Sequence, residues 1–283
     1  MSEDRAASAM APGGSVAAPE GGSAITRRFA ELRAEGRAAL VVYTTAGFPE
    51  PDSTVPLLVA LADAGADVLE LGIPFSDPLA DGPTIQRSSF LALQGGMTVR
   101  RALADLAEFR SLRDTPVVLF TYLNPLLRYG VEAFCRDARA AGADGLLLTD
   151  VPVGADPELE NAVAASGLDL VRLLAPTTPE ARIGDVAGKG SGFLYYISRT
   201  GVTGARAELP PELAEEVRAV RDQVTLPVAV GFGISTPEQA AAVAGLADGV
   251  VVGSALIRTV EEEGVEGAAR FIAGLRRAMD GGQ

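Results

Sequence analysis

Along this chain, short apolar runs alternate with longer stretches whose apolar residues recur three and four positions apart. The runs occupy residues 40–43, 68–71, 117–120, 146–148, 170–174, 193–197, 227–230 and 250–252. Each has the length of a strand and is apolar on consecutive positions, as in a strand covered on both faces. Between them, Val55, Leu58 and Ala62 mark a helix, as do Leu103 with Leu106, Leu159 with Val163, Leu213 with Val217, and Ala240 with Val243. Strand–helix alternation repeated eight times predicts an α/β chain whose parallel sheet closes into a (β/α)8 TIM barrel. A doubly wound open sheet is the competing layout. It is weakened because no Gly-x-Gly-x-x-Gly follows the first strand. Residues 24–37 predict an extra N-terminal helix, with Phe29 and Leu32 on its inner side, placed to close the bottom of the barrel. Asp52, Thr98 and Ser235 read as helix N-caps, and Gly65, Gly142 and Gly167 as helix stops.

The first residues are rich in Ala, Gly, Ser and Pro and lack the compact apolar region of a signal peptide. They predict a disordered tail over residues 1–23, followed by a single barrel domain over residues 24–283 with no linker inside it. No apolar run approaches the length of a membrane span, so no membrane partner is expected. The 283 residues are 48% hydrophobic, which supports a sizeable core. A net charge of −13 argues against nucleic acid, whose phosphates need a basic surface. The one cysteine, Cys135, excludes an intramolecular disulfide and points to a reduced, cytoplasmic setting. Its helical spacing with Val131, Phe134 and Ala138 makes it a packing residue.

The chain has no histidine. Familiar zinc sites and Ser–His–Asp or Cys–His nucleophiles are therefore not expected, and no metal site is predicted. Lys189, the sole lysine, sits in a loop that enters a strand, where an imine-forming amine would have no site to reach. Carboxylates remain. Glu70 interrupts the apolar run of Val68, Leu69, Leu71 and Ile73, where an ionisable group is costly without a partner or a job. Asp81 follows in a loop rich in Pro and Gly. Together they could exchange protons with a substrate. Equally, Glu70 could be a buried structural carboxylate and Asp81 an Asp-Gly turn. Asp77 reads as a loop-shaping residue, and Asp150 as a turn acceptor, with an active-site group as its alternative. Tyr122 and Tyr195 end strands, either as packing or as walls for an aromatic ligand. Glycine-bearing turns follow strands six, seven and eight, at residues 198–204, 231–235 and 253–255. Such turns at neighbouring strand ends can aim N–H groups at one phosphate.

The segment LELGIPFSDPLADGPTIQ, from Leu69 to Gln86, closely resembles the signature of the tryptophan synthase α subunit. Tyr122-Leu123-Asn124-Pro125, Asp150-Val151-Pro152 and the three glycine turns resemble later motifs of that family, in the same order. The resemblance runs from about Ile25 to the end and leaves the tail outside. It implies a barrel that cleaves indole-3-glycerol phosphate into indole and glyceraldehyde 3-phosphate by a retro-aldol reaction. By the same resemblance, Glu70 is the general acid–base and Asp81 accepts from the indole N–H. Tyr195 and Tyr122 would belong to the substrate pocket. Gly204, Gly233, Gly253 and Ser254 would hold the phosphate beside Phe232, and Thr203 would bond the loop aspartate when a lid closes.

These roles require Glu70 in apolar surroundings and Asp81 ionised in a polar loop. The loops after strands two and six are expected to be mobile lids. The family implies no cofactor in this chain. Its partner is a β subunit carrying pyridoxal phosphate, in an αββα heterotetramer that passes indole internally. Residues 74–77 and 123–128 are the expected contact loops. Phe48 departs from the family pattern, which often has a polar residue there. A stand-alone indole-releasing lyase, another phosphosugar barrel enzyme and a non-catalytic regulatory subunit are the rival readings. Strands one and five end without carboxylates, which argues against a sugar-imine isomerase of the histidine pathway.

Overall fold

The computed structural model describes residues 22–198, 211–231 and 233–281. Eight parallel strands follow one another around a closed barrel: β1 (Ala39–Thr45), β2 (Val68–Gly72), β3 (Val117–Thr121), β4 (Gly145–Leu148), β5 (Asp169–Leu174), β6 (Leu194–Ile197), β7 (Val228–Gly231) and β8 (Gly249–Val252). Each apolar run predicted from sequence overlaps its strand to within two residues at either end, and β8 pairs back onto β1 through Leu40 and Val250. The outer layer is made of α2 (Thr54–Asp63), α4 (Val99–Arg110), α6 (Val131–Ala140), α7 (Pro157–Ser166), α8 (Glu180–Gly188), α9 (Leu213–Arg221), α10 (Pro237–Ala244) and α11 (Ser254–Met279).

The strands are apolar on both faces, yet the alternation of period two persists and separates two cores. Leu40, Val42, Leu69, Leu71, Leu119 and Val230 point outward and pack against the helices. Ala39, Val41, Val68, Val118, Leu147, Val171, Phe193, Ala229 and Val251 form the inner cluster. The N-terminal helix α1 (Ala24–Ala34) joins that cluster with Ile25, Phe29 and Leu32, and the Phe29 ring lies 5.4 Å from that of Phe193. The predicted bottom plug is therefore present. Two residues further along the inward rows come Tyr43, Glu70, Phe120, Leu173, Tyr195, Gly231 and Gly253. They form the layer that opens at the C-terminal mouth.

One buried and two partly buried aspartates tie strands together at the opposite end. Leu40 N–H donates to Asp67 at 2.7 Å, Val117 N–H to Asp144 at 2.9 Å and Val228 N–H to Asp248 at 2.9 Å. Each carboxylate also pairs with an arginine: Arg276, Arg110 and Arg221 respectively. Pairing and hydrogen bonding offset the cost of burying these charges.

Some boundaries differ from expectation. Thr98 caps α4 as predicted, accepting from Arg101 N–H. The other two caps fall one residue later, at Ser53 and Thr236. Pro237 occupies the first turn of α10, and Gln239 completes a capping box with Thr236. Gly167 stops α7 in the left-handed conformation, as predicted. Ser23, assigned to the tail by composition, is the N-cap of α1 and also bonds Asp169. Residues 1–21 lie outside the described residues. Two further helices were not anticipated: α3 (Pro83–Gln94) and α5 (Leu123–Tyr129). The expected contact loop at residues 123–128 is thus a helix. Asp150 starts it by accepting Leu123 N–H at 2.8 Å, and Gly130, at φ 94°, ends it.

Candidate active site

Glu70 lies in the middle of β2, between inward-facing Val68 and Gly72. It pairs in register with Tyr43 of β1 and Val118 of β3. Its side chain is 1% exposed, and neither carboxylate oxygen has a hydrogen-bond partner among the described residues. Apolar burial alone pushes its pKa up to about 8. A structural carboxylate would be paired, as Asp67 and Asp144 are. Glu70 is the unpaired one, and it faces the mouth.

Asp81 comes from the segment between β2 and α3 and is partly buried. Burial raises its pKa to about 6, while a hydrogen bond from the Tyr122 hydroxyl pulls the other way. The loop is therefore less polar than sequence suggested. The same Tyr122 oxygen accepts Ala80 N–H at 3.1 Å, so one tyrosine grips both the backbone and the carboxylate of this loop. Gln86, from α3, donates to the Asp81 carbonyl at 2.8 Å. Asp77 is exposed and accepts from Ser76 at 2.6 Å, a loop-shaping role as expected.

Aromatic and apolar side chains wall the space between the two carboxylates. The Tyr43 and Phe120 rings meet edge-on at 5.1 Å, and Phe120, Leu173 and Tyr195 stay partly exposed above the inner cluster. Burial raises the Tyr195 pKa, with further contributions from the charges of Glu70, Asp81 and Tyr43. Its ring also fills the place of a side chain at Gly231, where a Cβ would lie 2.3 Å from the hydroxyl. Phe120 and Leu173 were missed in the sequence. Their inward parity with Val118 and Val171 was the available signal.

Of the predicted phosphate ligands, Gly233, Gly253 and Ser254 are described. Gly233 has φ 55°, which favours glycine, and Gly253 is the N-cap of α11 with no side-chain cap. Gln239 and Thr236 fill the N-terminus of α10 themselves. The α11 end is the one of these two left open to an anion. Thr203, Gly204 and Phe232 lie outside the described residues, as does the segment 199–210 of the loop after β6.

A second concavity, of about 590 Å³, adjoins the mouth between Phe75, Leu79, Tyr122, Leu123, Leu127 and Asp150. Leu79 is 91% exposed and Leu127 54%. Lys189 is exposed at the turn entering β6, away from the mouth. Phe48 is fully buried, so the departure from a polar residue adds to the core. Cys135 is buried, and burial raises its thiol pKa. No described helix is long and apolar enough to cross a membrane.

The family model described as tryptophan synthase alpha chain matches residues 29–278. The tryptophan synthase alpha chain of Chloroflexus aurantiacus is 50% identical over 262 residues, covering 91% of this chain and 98% of that relative. The Geobacter sulfurreducens alpha chain is 48% identical, covering 91% and 99%. The crystal structure of the alpha subunit from Legionella pneumophila superposes with a TM-score of 0.86 at 39% identity, covering 91% of this chain and 98% of that one. The Mycobacterium tuberculosis tryptophan synthase structure gives 0.85 at 38% identity, covering 91% and 98%.

Proposed function

The chain belongs to the tryptophan synthase alpha chain family, and from that premise we propose how its site works. The reaction is the lyase step that splits indole-3-glycerol phosphate into indole and glyceraldehyde 3-phosphate. Glu70 starts protonated, because its apolar setting disfavours the carboxylate. It delivers that proton to C3 of the indole ring. The ring becomes an indoleninium and acts as the electron sink for cleavage, so neither a lysine imine nor a metal is needed. The resulting Glu70 carboxylate takes the proton from the glyceryl hydroxyl. The C–C bond electrons flow into the ring, and indole and the aldehyde separate. Glu70 ends protonated again.

Asp81 is ionised above its pKa of about 6 and accepts from the indole N–H, where positive charge grows. Tyr122 fixes its direction. Tyr43, Phe120, Leu173 and Tyr195 hold the ring and exclude water. The open N-terminus of α11, with Gly253 and Ser254, receives the phosphate, together with Gly233. The carrying observation is the buried, unpartnered Glu70 facing this aromatic-walled mouth.

The alpha chain family works with a β subunit and carries no cofactor of its own. We place the β partner, carrying pyridoxal phosphate in an αββα assembly, on the apolar concavity formed by the β2–α3 segment and α5. Exposed Leu79 and Leu127 support that placement. A cytoplasmic setting fits the single, buried cysteine. The test is an indole-release assay on the purified chain, with and without a β subunit. Release from indole-3-glycerol phosphate, increased by the partner, supports the synthase reading. Release unaffected by a partner would make the chain a stand-alone lyase, and no release in either case would overturn the assignment.

A further inference from the structure

Tyr43, Thr45 and Ser88 form a buried chain of hydroxyls that joins the mouth of the barrel to helix α3. The Thr45 and Ser88 oxygens are 2.7 Å apart, and those of Tyr43 and Thr45 are 3.3 Å apart. Ser88 donates to the Ile85 carbonyl at 2.9 Å. A carbonyl only accepts and a hydroxyl has one proton, so the direction of the chain is fixed. Thr45 donates to Ser88, and Tyr43 donates to Thr45.

The helix this chain reaches is the one that follows Asp81. Gly82 is its N-cap, and Gln86 reaches back to hold the Asp81 carbonyl. Its fully buried residues, Ser88, Ser89 and Ala92, are all small. Ile85 and Leu91 pack partly buried against the core and hold the helix to the barrel. Its ion pair, between Arg87 and Glu261, is exposed and screened. Apolar packing is non-directional, so the buried Thr45–Ser88 bond adds a directional constraint on where the helix starts. At the other end, Tyr43 presses on Gly72 and edges against Phe120, beside Glu70.

We propose that Ser88 and Thr45 are positioning residues for the cleavage reaction: their hydrogen bond locks α3 to β1 and so sets where Asp81 stands relative to the Tyr43 wall and Glu70. The proposal rests on the functional reading above for its consequences in turnover, but the ordering of the loop is independent of it. Neither residue touches the reacting atoms; both act through Asp81.

The experiment compares wild type with Ser88→Ala, Thr45→Val, Thr45→Ser and the Thr45→Val/Ser88→Ala double variant. Steady-state cleavage and hydrogen exchange across residues 76–86 are both measured. The single variants Ser88→Ala and Thr45→Val are expected to lose about tenfold in kcat, because a displaced group weakens the transition state. KM should change by less than about twofold, since the phosphate and ring contacts remain. Thr45→Ser, which keeps the hydroxyl, should restore kcat. The double variant should be no worse than the poorer single, because both remove one bond. Exchange across residues 76–86 should accelerate in the same variants and return to normal in Thr45→Ser, while the β4–β5 region stays protected.

Unchanged exchange across residues 76–86 overturns the proposal whether or not the wild type turns over. So does a lowered melting temperature with kcat intact, which marks a merely structural bond, and so do additive losses in the double variant. An inactive wild type whose variants still show the local exchange pattern would instead refute the functional reading and leave the positioning chain standing.

Discussion

The Tyr43 hydroxyl lies directly over Gly72, where a Cβ would come within 2.2 Å of its oxygen. No side chain larger than hydrogen fits there without moving Tyr43. Gly72 is two residues beyond Glu70 on the same inward row. Gly72→Ala is therefore expected to push Tyr43 out of the wall and reduce kcat/KM by at least about tenfold, with a loss of stability of about 1–3 kcal/mol from overpacking. Steady-state kinetics and thermal melting check this. Wild-type kinetics in Gly72→Ala would show that the wall tolerates displacement.

Cleavage needs Glu70 protonated and Asp81 ionised at the start of each turnover. Their pKa values of about 8 and about 6 predict a bell-shaped pH profile. Activity should fall as pH drops through the lower value, when Asp81 is neutralised. It should also fall as pH rises through the upper one, when Glu70 ionises. A kcat/KM profile flat from pH 5 to pH 9 would remove this assignment of protonation states.

Tyr122 supports the acidic limb of that profile. Its hydrogen bond favours the Asp81 carboxylate, so Tyr122→Phe should move the limb to higher pH and lower kcat. Asp81→Asn should abolish most turnover. In the isolated chain, Asp77→Asn should retain most activity, since Asp77 is exposed and bonds Ser76. The reverse ordering of the two aspartates would mean that the wrong loop carboxylate has been assigned.

Glu70 also makes stability depend on pH. Its folded pKa, about 8, lies above the ordinary value of 4.5. The folded state then binds the proton more tightly than the unfolded chain. That advantage is complete below the ordinary value and is lost as pH rises through the folded one. Glu70→Gln removes the ionisable group, so its stability relative to wild type should increase between pH 5 and pH 9 by a few kcal/mol at most. Melting curves across that range test it. A difference that does not change with pH would place Glu70 in a polar or paired setting.

The barrel was legible because each strand is apolar on consecutive positions and each is followed by a helical period. Glu70 was legible because it breaks one of those runs. The pocket wall was harder to see. Phe120 and Leu173 differ from their outward neighbours Leu119 and Leu174 only in parity, and a strand buried on both faces hides parity from a hydropathy reading. Helix α3 was hidden because Pro83 and the glycine before it read as loop, while its fully buried residues are serine and alanine. The hydrogen bond that opposes the desolvation of Asp81 comes from Tyr122, some forty residues on, a contact no local pattern announces. The aspartates that pin the strand starts were likewise invisible, because each bonds an amide in the first two residues of a neighbouring strand.

The central claim is that Glu70 moves the proton in carbon–carbon cleavage. The most direct measurement is indole release from indole-3-glycerol phosphate by Glu70→Gln, assayed with the β subunit present. Glutamine keeps the shape and cannot exchange the proton. The account predicts a fall in kcat of about 10³-fold, with the melting transition and β-subunit binding retained. Turnover within a few fold of wild type would contradict it, and the proton would have to come from another group.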